Sequence, residues 1–238
     1  MQQIVFIGIG PFPEIIDIVL DINKIANTFE VLGILDDNEA MQNKFVGGYQ
    51  VLGPLSLVST FDQKVKFVMG IGSHASRLTR YEILKRIGLS PERYQTLISP
   101  TAKVFSTASI GHGCVIDPGV VIGCNTVMHN FCVVKANTII GAFNLVGEGV
   151  LITGLSVTTA RVMLGSYSFI GAHSAIAEEK EIGPGALISM ASYITKNVTA
   201  GRTAFGNPCK IVDQVHVNKE IIDKWETIKR EHKLKSNN

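Results

Sequence analysis

The stretch Val133-Val134-Lys135-Ala136-Asn137-Thr138-Ile139-Ile140-Gly141-Ala142-Phe143-Asn144-Leu145-Val146-Gly147 carries an aliphatic residue at 134, 140 and 146, every sixth position. The same return runs outward from it. Val104, Ile110, Ile116, Ile122 and Met128 precede it, Ile152, Leu164, Ile170, Ile176, Ile182, Ile188 and Ile194 follow it, and Thr158 alone breaks the series. A helix repeats at 3.6 residues and an alternating strand at 2, so neither produces a strict period of six. A hexad repeat of this length predicts a parallel β-helix. Glycine follows the aliphatic residue at 111, 123, 141, 147, 165, 171 and 183, where the chain would turn a corner and glycine tolerates φ > 0. Four residues after the aliphatic one the side chains are mostly small, among them Ala108, Cys114, Thr126, Cys132, Ser156, Ser174 and Ser192. Large aliphatic and small inward residues together would fill a narrow prism. With three hexads per turn the array makes about five coils, each about 4.8 Å above the last. A β-sandwich would instead show turn signals at irregular spacing of about 8 to 12 residues.

The repeat occupies only the second half of a 238-residue chain, so two domains are expected, each able to bury its own core. Net charge is +2 with both signs spread along the chain, which gives no electrostatic reason to expect nucleic acid or an anionic membrane as partner. No apolar run is long enough to span a bilayer, and no basic region precedes the short apolar segment at the N-terminus. A cytoplasmic protein is expected. Cys114, Cys124, Cys132 and Cys209 fall at no zinc-ligand spacing and resemble no disulfide framework. Cys114 and Cys132 share the small inward position one coil apart and are expected in the core. No metal site is expected, and a metal-dependent hydrolase on this scaffold would find no ligand cluster.

The first half reads as alternating strands and helices. Residues 3–8 form a buried strand leading into Gly8-Ile9-Gly10 and an apolar-periodic stretch over 13–25. Such a turn at a helix N-terminus either holds a phosphate on backbone N–H groups or serves tight packing. A second strand over 31–35 ends in Asp36-Asp37, which is either a ribose-binding acid or a turn pair. A third strand over 65–70 leads through Ile71-Gly72-Ser73-His74 into a helix over 75–87. Gly72, Ser73, His74 and Arg77 thus lie at the carboxyl end of a parallel strand, the edge where open sheets bind ligands. After the last coil come Gly206-Asn207-Pro208-Cys209-Lys210 and a tail helix with Ile221, Ile222, Trp225 and Ile228 on one face. Asn218 is its N-cap. This helix is expected to cap the open end of the solenoid, because a β-helix needs its terminal edge covered.

At these residues the chain resembles the sugar O-acyltransferase family of hexapeptide-repeat enzymes, whose members include sialic acid O-acetyltransferases and N-acetyltransferases acting on nucleotide-linked amino sugars. The carriers are Ile4 to Gly10, Val31-Leu32-Gly33-Ile34-Leu35-Asp36-Asp37, Gly70-Ile71-Gly72-Ser73 with Arg77, the hexad array, and the closing Gly206-Asn207-Pro208-Cys209-Lys210. The resemblance implies a Rossmann-like nucleotide-sugar-binding domain over 1–97, a left-handed parallel β-helix over 98–210 and a helical tail over 211–238. It implies a homotrimer, a nucleotide-sugar site built from Gly8, Gly10, Asp36, Asp37, Gly72, Ser73 and Arg77, and an acetyl-CoA site between adjacent solenoids. To the acetyl-CoA site it assigns Gly171, His173, Ala191, Gly206, Pro208 and Lys210.

The chain departs from this family where the family has its chemistry. A His followed by an acidic or amide residue is expected five hexads before Phe169-Ile170-Gly171-Ala172. Counting without gaps lands on Ala142; treating the hexad at Thr158 as an extra one lands on Ala136, beside Val133-Val134 and Asn137. Either way the base is alanine. The family's Gly-Gly-His is Gly10-Pro11-Phe12 here. A sugar hydroxyl attacking a thioester needs a general base, worth about 10²- to 10⁴-fold, whereas an amine attacks through its own lone pair. Transfer to nitrogen is therefore favoured. His173 is the candidate substitute base; His112 falls on a different face of the prism and His129 at a corner. Asn137, Asn144 and Glu148 are candidate substrate-orienting residues. Two functions stay open: an acyl-CoA-dependent sugar acyltransferase of bacterial-type surface polysaccharide biosynthesis, or a non-catalytic trimeric scaffold that binds sugar or CoA.

Overall fold

The computed structural model describes residues 1–9, 14–72 and 77–236. The N-terminal domain is an open sheet in the order β3-β4-β2-β1-β5, with β1 Gln2–Ile7, β2 Phe29–Leu35, β3 Phe45–Val46, β4 Tyr49–Gly53 and β5 Lys66–Met69. All pairs are parallel except the β3–β4 hairpin. β1 lies between β2 and β5 and buries Ile4, Val5, Phe6 and Ile7 completely, which is why it reads as a continuous apolar run rather than an alternating one. Helix α1, Glu14–Ile25, covers one side with Ile15, Ile16, Ile18 and Val19, and its acidic first turn suits the helix dipole. Helix α2, Thr79–Ile87, closes the other side with Leu84. Because β2 and β5 flank β1 on opposite sides, the strand order reverses at the carboxyl ends of β1 and β5.

Two glycines make that point possible. Gly8 has φ +61°, and a Cβ added at Gly70 would lie 1.9 Å from the Gly8 carbonyl oxygen. Gly70→Ala is expected to destabilise the protein by about 1–3 kcal/mol through forced backbone movement, seen as a lower urea midpoint with an unchanged m-value.

The second domain is a left-handed parallel β-helix of two-residue strands in three sheets. The first face runs through Ile98, Ile116, Val134, Ile152, Ile170 and Ile188; the second through Val104, Ile122, Ile140, Thr158, Ile176 and Ile194; the third through Ile110, Met128, Val146, Leu164 and Ile182. Partners pair in parallel one coil on, as in Val121↔Ile139 and Val133↔Leu151. The aliphatic series fills the prism, together with Cys114 and Cys132.

Three expectations need correction. The glycine after the aliphatic residue does not supply the left-handed corner: that conformation falls two residues later, at Asn137, Phe143, Leu155, Tyr167, His173 and Ala191 among others, with φ between 54° and 60°. Gly123 and Gly141 are instead squeezed between coils, where an added Cβ would meet backbone at 2.7 and 2.4 Å. Thr158 marks no extra hexad, so the ungapped count, which lands on Ala142, is the one the coils follow. Thr158 pairs in register with Ile140 and Ile176, and its hydroxyl is satisfied inside the prism by the Asn144 amide at 2.9 Å. Asn144 also donates to the Gly141 and Thr159 carbonyls, each at 3.0 Å, and is fully buried, so it is a core residue and orients no substrate.

The tail helix, α3, Lys219–Ser236, starts at Asn218, whose Oδ1 accepts from the Glu220 N–H at 2.9 Å. It does not cap the open end. Trp225 and Ile228 pack along the third face on Val127, Leu145 and Met163, three outward side chains stacked in successive coils. That apolar stripe is what requires cover. The end of the solenoid is extended instead by a strand over Arg202–Phe205 on the first face and its antiparallel partner Lys210–Gln214. Among the described residues no helix is long and apolar enough to cross a membrane.

Candidate functional site

Outward side chains on the first face repeat the stripe principle. Val115, Val133, Leu151 and Phe169 stand one above another, and the N-terminal domain sits over them, with Leu97, Val115 and Val133 joining its core. The cover is incomplete. A cavity of about 700 Å³ stays between the domains, with α1 on one side (Glu14, Ile15, Asp17, Ile18, Asp21), the exit of β5 on another (Met69, Gly70, Ile71, Gly72), and the first face as floor. It opens at the carboxyl end of β5, beside the reversal of strand order. This is where an open α/β sheet binds ligands.

The floor turns polar at the residue directly after each strand, at Asp117, Lys135 and Thr153. Lys135 Nζ lies 2.7 Å from Asp117 Oδ2 and 3.6 Å from Glu14 Oε1, tying the solenoid to α1. The Asp117 side chain is only 5% exposed, and its Oδ1 has no hydrogen-bond partner among the described residues. Burial raises the Asp117 pKa, the Lys135 hydrogen bond and charge and the Ala136 amide oppose it, and the Glu14 charge adds to the rise.

Ala136 follows Lys135 and lines the cavity; Ala142 lies around the next corner, outside its wall. Of the proposed sugar-site residues, Gly72 is in the wall, and a Cβ there would touch Leu151 at 3.2 Å. Gly8 abuts Gly70 but does not reach the cavity. Asp36 accepts from the Asn38 N–H at 2.9 Å. Asp37 accepts from the Leu55 N–H at 2.9 Å and pairs with Arg86. In this structure the acidic pair does turn and capping work. Arg77 Nε donates to the Gly185 carbonyl at 3.3 Å, and burial lowers its pKa. Gly10, Ser73 and His74, with Pro11 and Phe12, lie outside the described residues.

His173 and Ala191 occupy the corner between the first and second faces, the corner that also carries Asn137 and Leu155. His173 is two coils from Asn137, about 10 Å along the axis, and is not in the cavity wall. Gly171 is held tight under Met190, and Gly206 (φ 84°), Pro208 and Lys210 form the turn after the last coil. His112 and Asn130 bond across the corner between the third and first faces. Glu148, buried there, accepts from the Tyr167 hydroxyl at 2.9 Å and pairs with Lys224 at 2.6 Å. Glu148 therefore locks α3 to the coil and is removed from the substrate-orienting candidates. The sequence reading missed Glu14, Asp117 and Lys135; the signal was the outward apolar column 115, 133, 151, 169, which marks a covered face and makes the polar residues beside it a site rim.

The match to the PglD N-terminal domain family spans residues 3–84, from β1 to Leu84 in α2. Residues 3–84 are similar to that family. The resemblance read from the sequence is borne out by this domain and by the fold that follows it. Over the chain, the fold is similar to the acetyltransferase domain of PglB from Neisseria gonorrhoeae, with a TM-score of 0.77 at 22% identity, covering 89% of this chain and 100% of that one. It is also similar to PerB from Caulobacter crescentus, solved in complex with CoA and GDP-perosamine, with a TM-score of 0.73 at 20% identity over 89% of this chain and 97% of that one. At these identities the likeness establishes the fold. Proteins of Staphylococcus aureus that carry acetyltransferase as a provisional name are 35% identical over 54 residues, 23% of this chain. The match spans 27% of those relatives' own length. The cavity lies between the domain that carries this match and the β-helix that follows it.

Proposed function

We propose that the chain is an acyl-CoA-dependent acyltransferase, with acetyl the default group, that acylates the amine of a nucleotide-linked amino sugar in the cytoplasm, in surface polysaccharide biosynthesis. The observation that carries this reading is the cavity between the N-terminal domain and the first solenoid face. Its charged lining, Glu14, Asp17, Asp21 and Asp117 against Lys135, favours a cationic amine over an anionic group. In this reading Gly72, with Gly10 and Ser73, faces the sugar nucleotide, and Gly8, Asp36, Asp37 and Arg77 shape the surrounding turns. CoA runs along the corner of Gly171, His173 and Ala191 toward Gly206, Pro208 and Lys210. The complexes of PerB with CoA and GDP-perosamine and of the PglB domain with acetyl coenzyme A support that division. The sugar amine attacks the thioester carbonyl, backbone N–H groups stabilise the oxyanion, and CoA leaves as the thiol. Exposed Phe105, Ile139, Phe143, Leu155 and Tyr193 support a homotrimer that covers these side chains.

Calorimetric titration of acetyl-CoA tests the CoA half of this reading. Saturable binding is expected, and Lys210→Ala is expected to weaken it about tenfold, the loss of one charge-assisted phosphate contact. The second reading, a non-catalytic scaffold, is favoured by alanine in place of a base at 142, where the ungapped count falls; sugar-nucleotide binding with no acetyl-CoA binding would establish it.

A further inference from the structure

With alanine at both 142 and 136, no histidine stands at either counted position, and the proton of the attacking amine needs an acceptor at the cavity. Lys135 is excluded: its Nζ is engaged by Asp117 at 2.7 Å and lies 3.6 Å from Glu14. Glu14, Asp17 and Asp21 project from α1, across the cavity from the floor on which position 136 stands. Asp117 stands on the floor itself, one coil before Lys135. One of its oxygens is held by Lys135, and the other is buried without a hydrogen-bond partner among the described residues. An orphaned carboxylate oxygen is costly to bury, and an incoming N–H donor removes that cost. Rotation about the terminal torsion, which is broad and two-fold for Asp, presents either oxygen to the ligand.

We infer that Asp117 is the proton acceptor of the transfer reaction, positioned by Lys135 and Glu14, and that the cavity thereby selects an amine as the group to be acylated. This rests on the acyltransferase reading above. The substrate arrives as its ammonium form beside the carboxylates and loses one proton to solvent. The lone pair of the neutral amine then forms the C–N bond to the thioester carbonyl and the C–S bond breaks. The second proton passes from nitrogen to Asp117 and from there to the departing CoA thiolate. The products are the amide and CoA thiol, with one proton released overall, and no further reactant is needed. Burial of the carboxylate makes it a stronger acceptor than one in water. Its charged neighbours are Lys135 from the next coil and Glu14 from α1, with Asp17 and Asp21 further along that helix.

The experiment is steady-state thiol release from acetyl-CoA with the full chain, using nucleotide-linked amino sugars as acceptors, for wild type, Asp117→Asn and Lys135→Met across pH. Asp117→Asn is expected to lower kcat about 10²-fold, leave the KM for acetyl-CoA unchanged and abolish the acidic limb of the kcat profile. Lys135→Met removes the cation that lowers the Asp117 pKa, so its acidic limb moves to higher pH, a shift that a purely structural role would not cause. Asp117→Asn turning over at the wild-type rate with the same acidic limb overturns the role of Asp117 and leaves the acyltransferase reading standing. Wild-type protein that binds acetyl-CoA yet releases no thiol with any amino sugar overturns both.

Discussion

Ala136→Trp is expected to lower kcat/KM for the sugar acceptor by about 10²-fold or more while acetyl-CoA binding persists. The indole would project into the cavity from its floor, beside Lys135 and opposite α1, and displace the reacting amine; misplacement by about 1 Å suffices for a loss of this size. Ala136 itself is half-exposed and does not take the left-handed corner conformation, which falls to Asn137. The coil therefore accepts a larger side chain there without backbone strain, and the thermal midpoint should stay close to wild type. Unchanged turnover in this variant would mean that the cavity is not the acceptor site.

Trp225→Ala is expected to destabilise the protein by about 3–5 kcal/mol, a fall in Tm on the order of 10 °C for a chain of this size. Trp225 is completely buried against Leu145, with Ile228, Val127 and Met163 around it. Its indole N–H donates to Glu181 Oε1 at 3.1 Å. Removing it strands no charge, because Lys229 still holds Glu181 at 2.8 Å, so the loss reports the vacated volume. Freed α3 should become the first site of limited proteolysis. An unchanged melting curve would mean that α3 is not docked on the third face.

The hexads announce the solenoid because their period is incompatible with any other regular structure, and the strand-turn alternation announces the open sheet. What escapes such a reading is anything decided by which outward side chains meet. α3 seemed fit for the open end, yet Val127, Leu145 and Met163 recur one coil apart and could be read as a stripe awaiting a partner. The column 115, 133, 151 and 169 says the same of the first face. Asp36 and Asp37 illustrate the opposite case: two readings are compatible with the sequence, and the local hydrogen bonds from the Asn38 and Leu55 N–H groups are those a turn pair makes. Thr158 looked like a break in register because its inward polarity has no partner in the sequence; the partner, Asn144, sits fourteen residues back. Asp117 and Lys135, one coil apart on the axis, become a pair only once the coil brings them within 2.7 Å.

The central claim is transfer of an acyl group from CoA to a sugar amine. The most direct test is free-thiol release by the purified chain from acetyl-CoA, with matched nucleotide-linked amino sugars and their hydroxy counterparts as acceptors. Release with an amino sugar and none with the matched hydroxy sugar is the predicted result. No release with any amino sugar, together with no acetyl-CoA binding by calorimetry, would contradict it and leave a sugar-binding scaffold in its place.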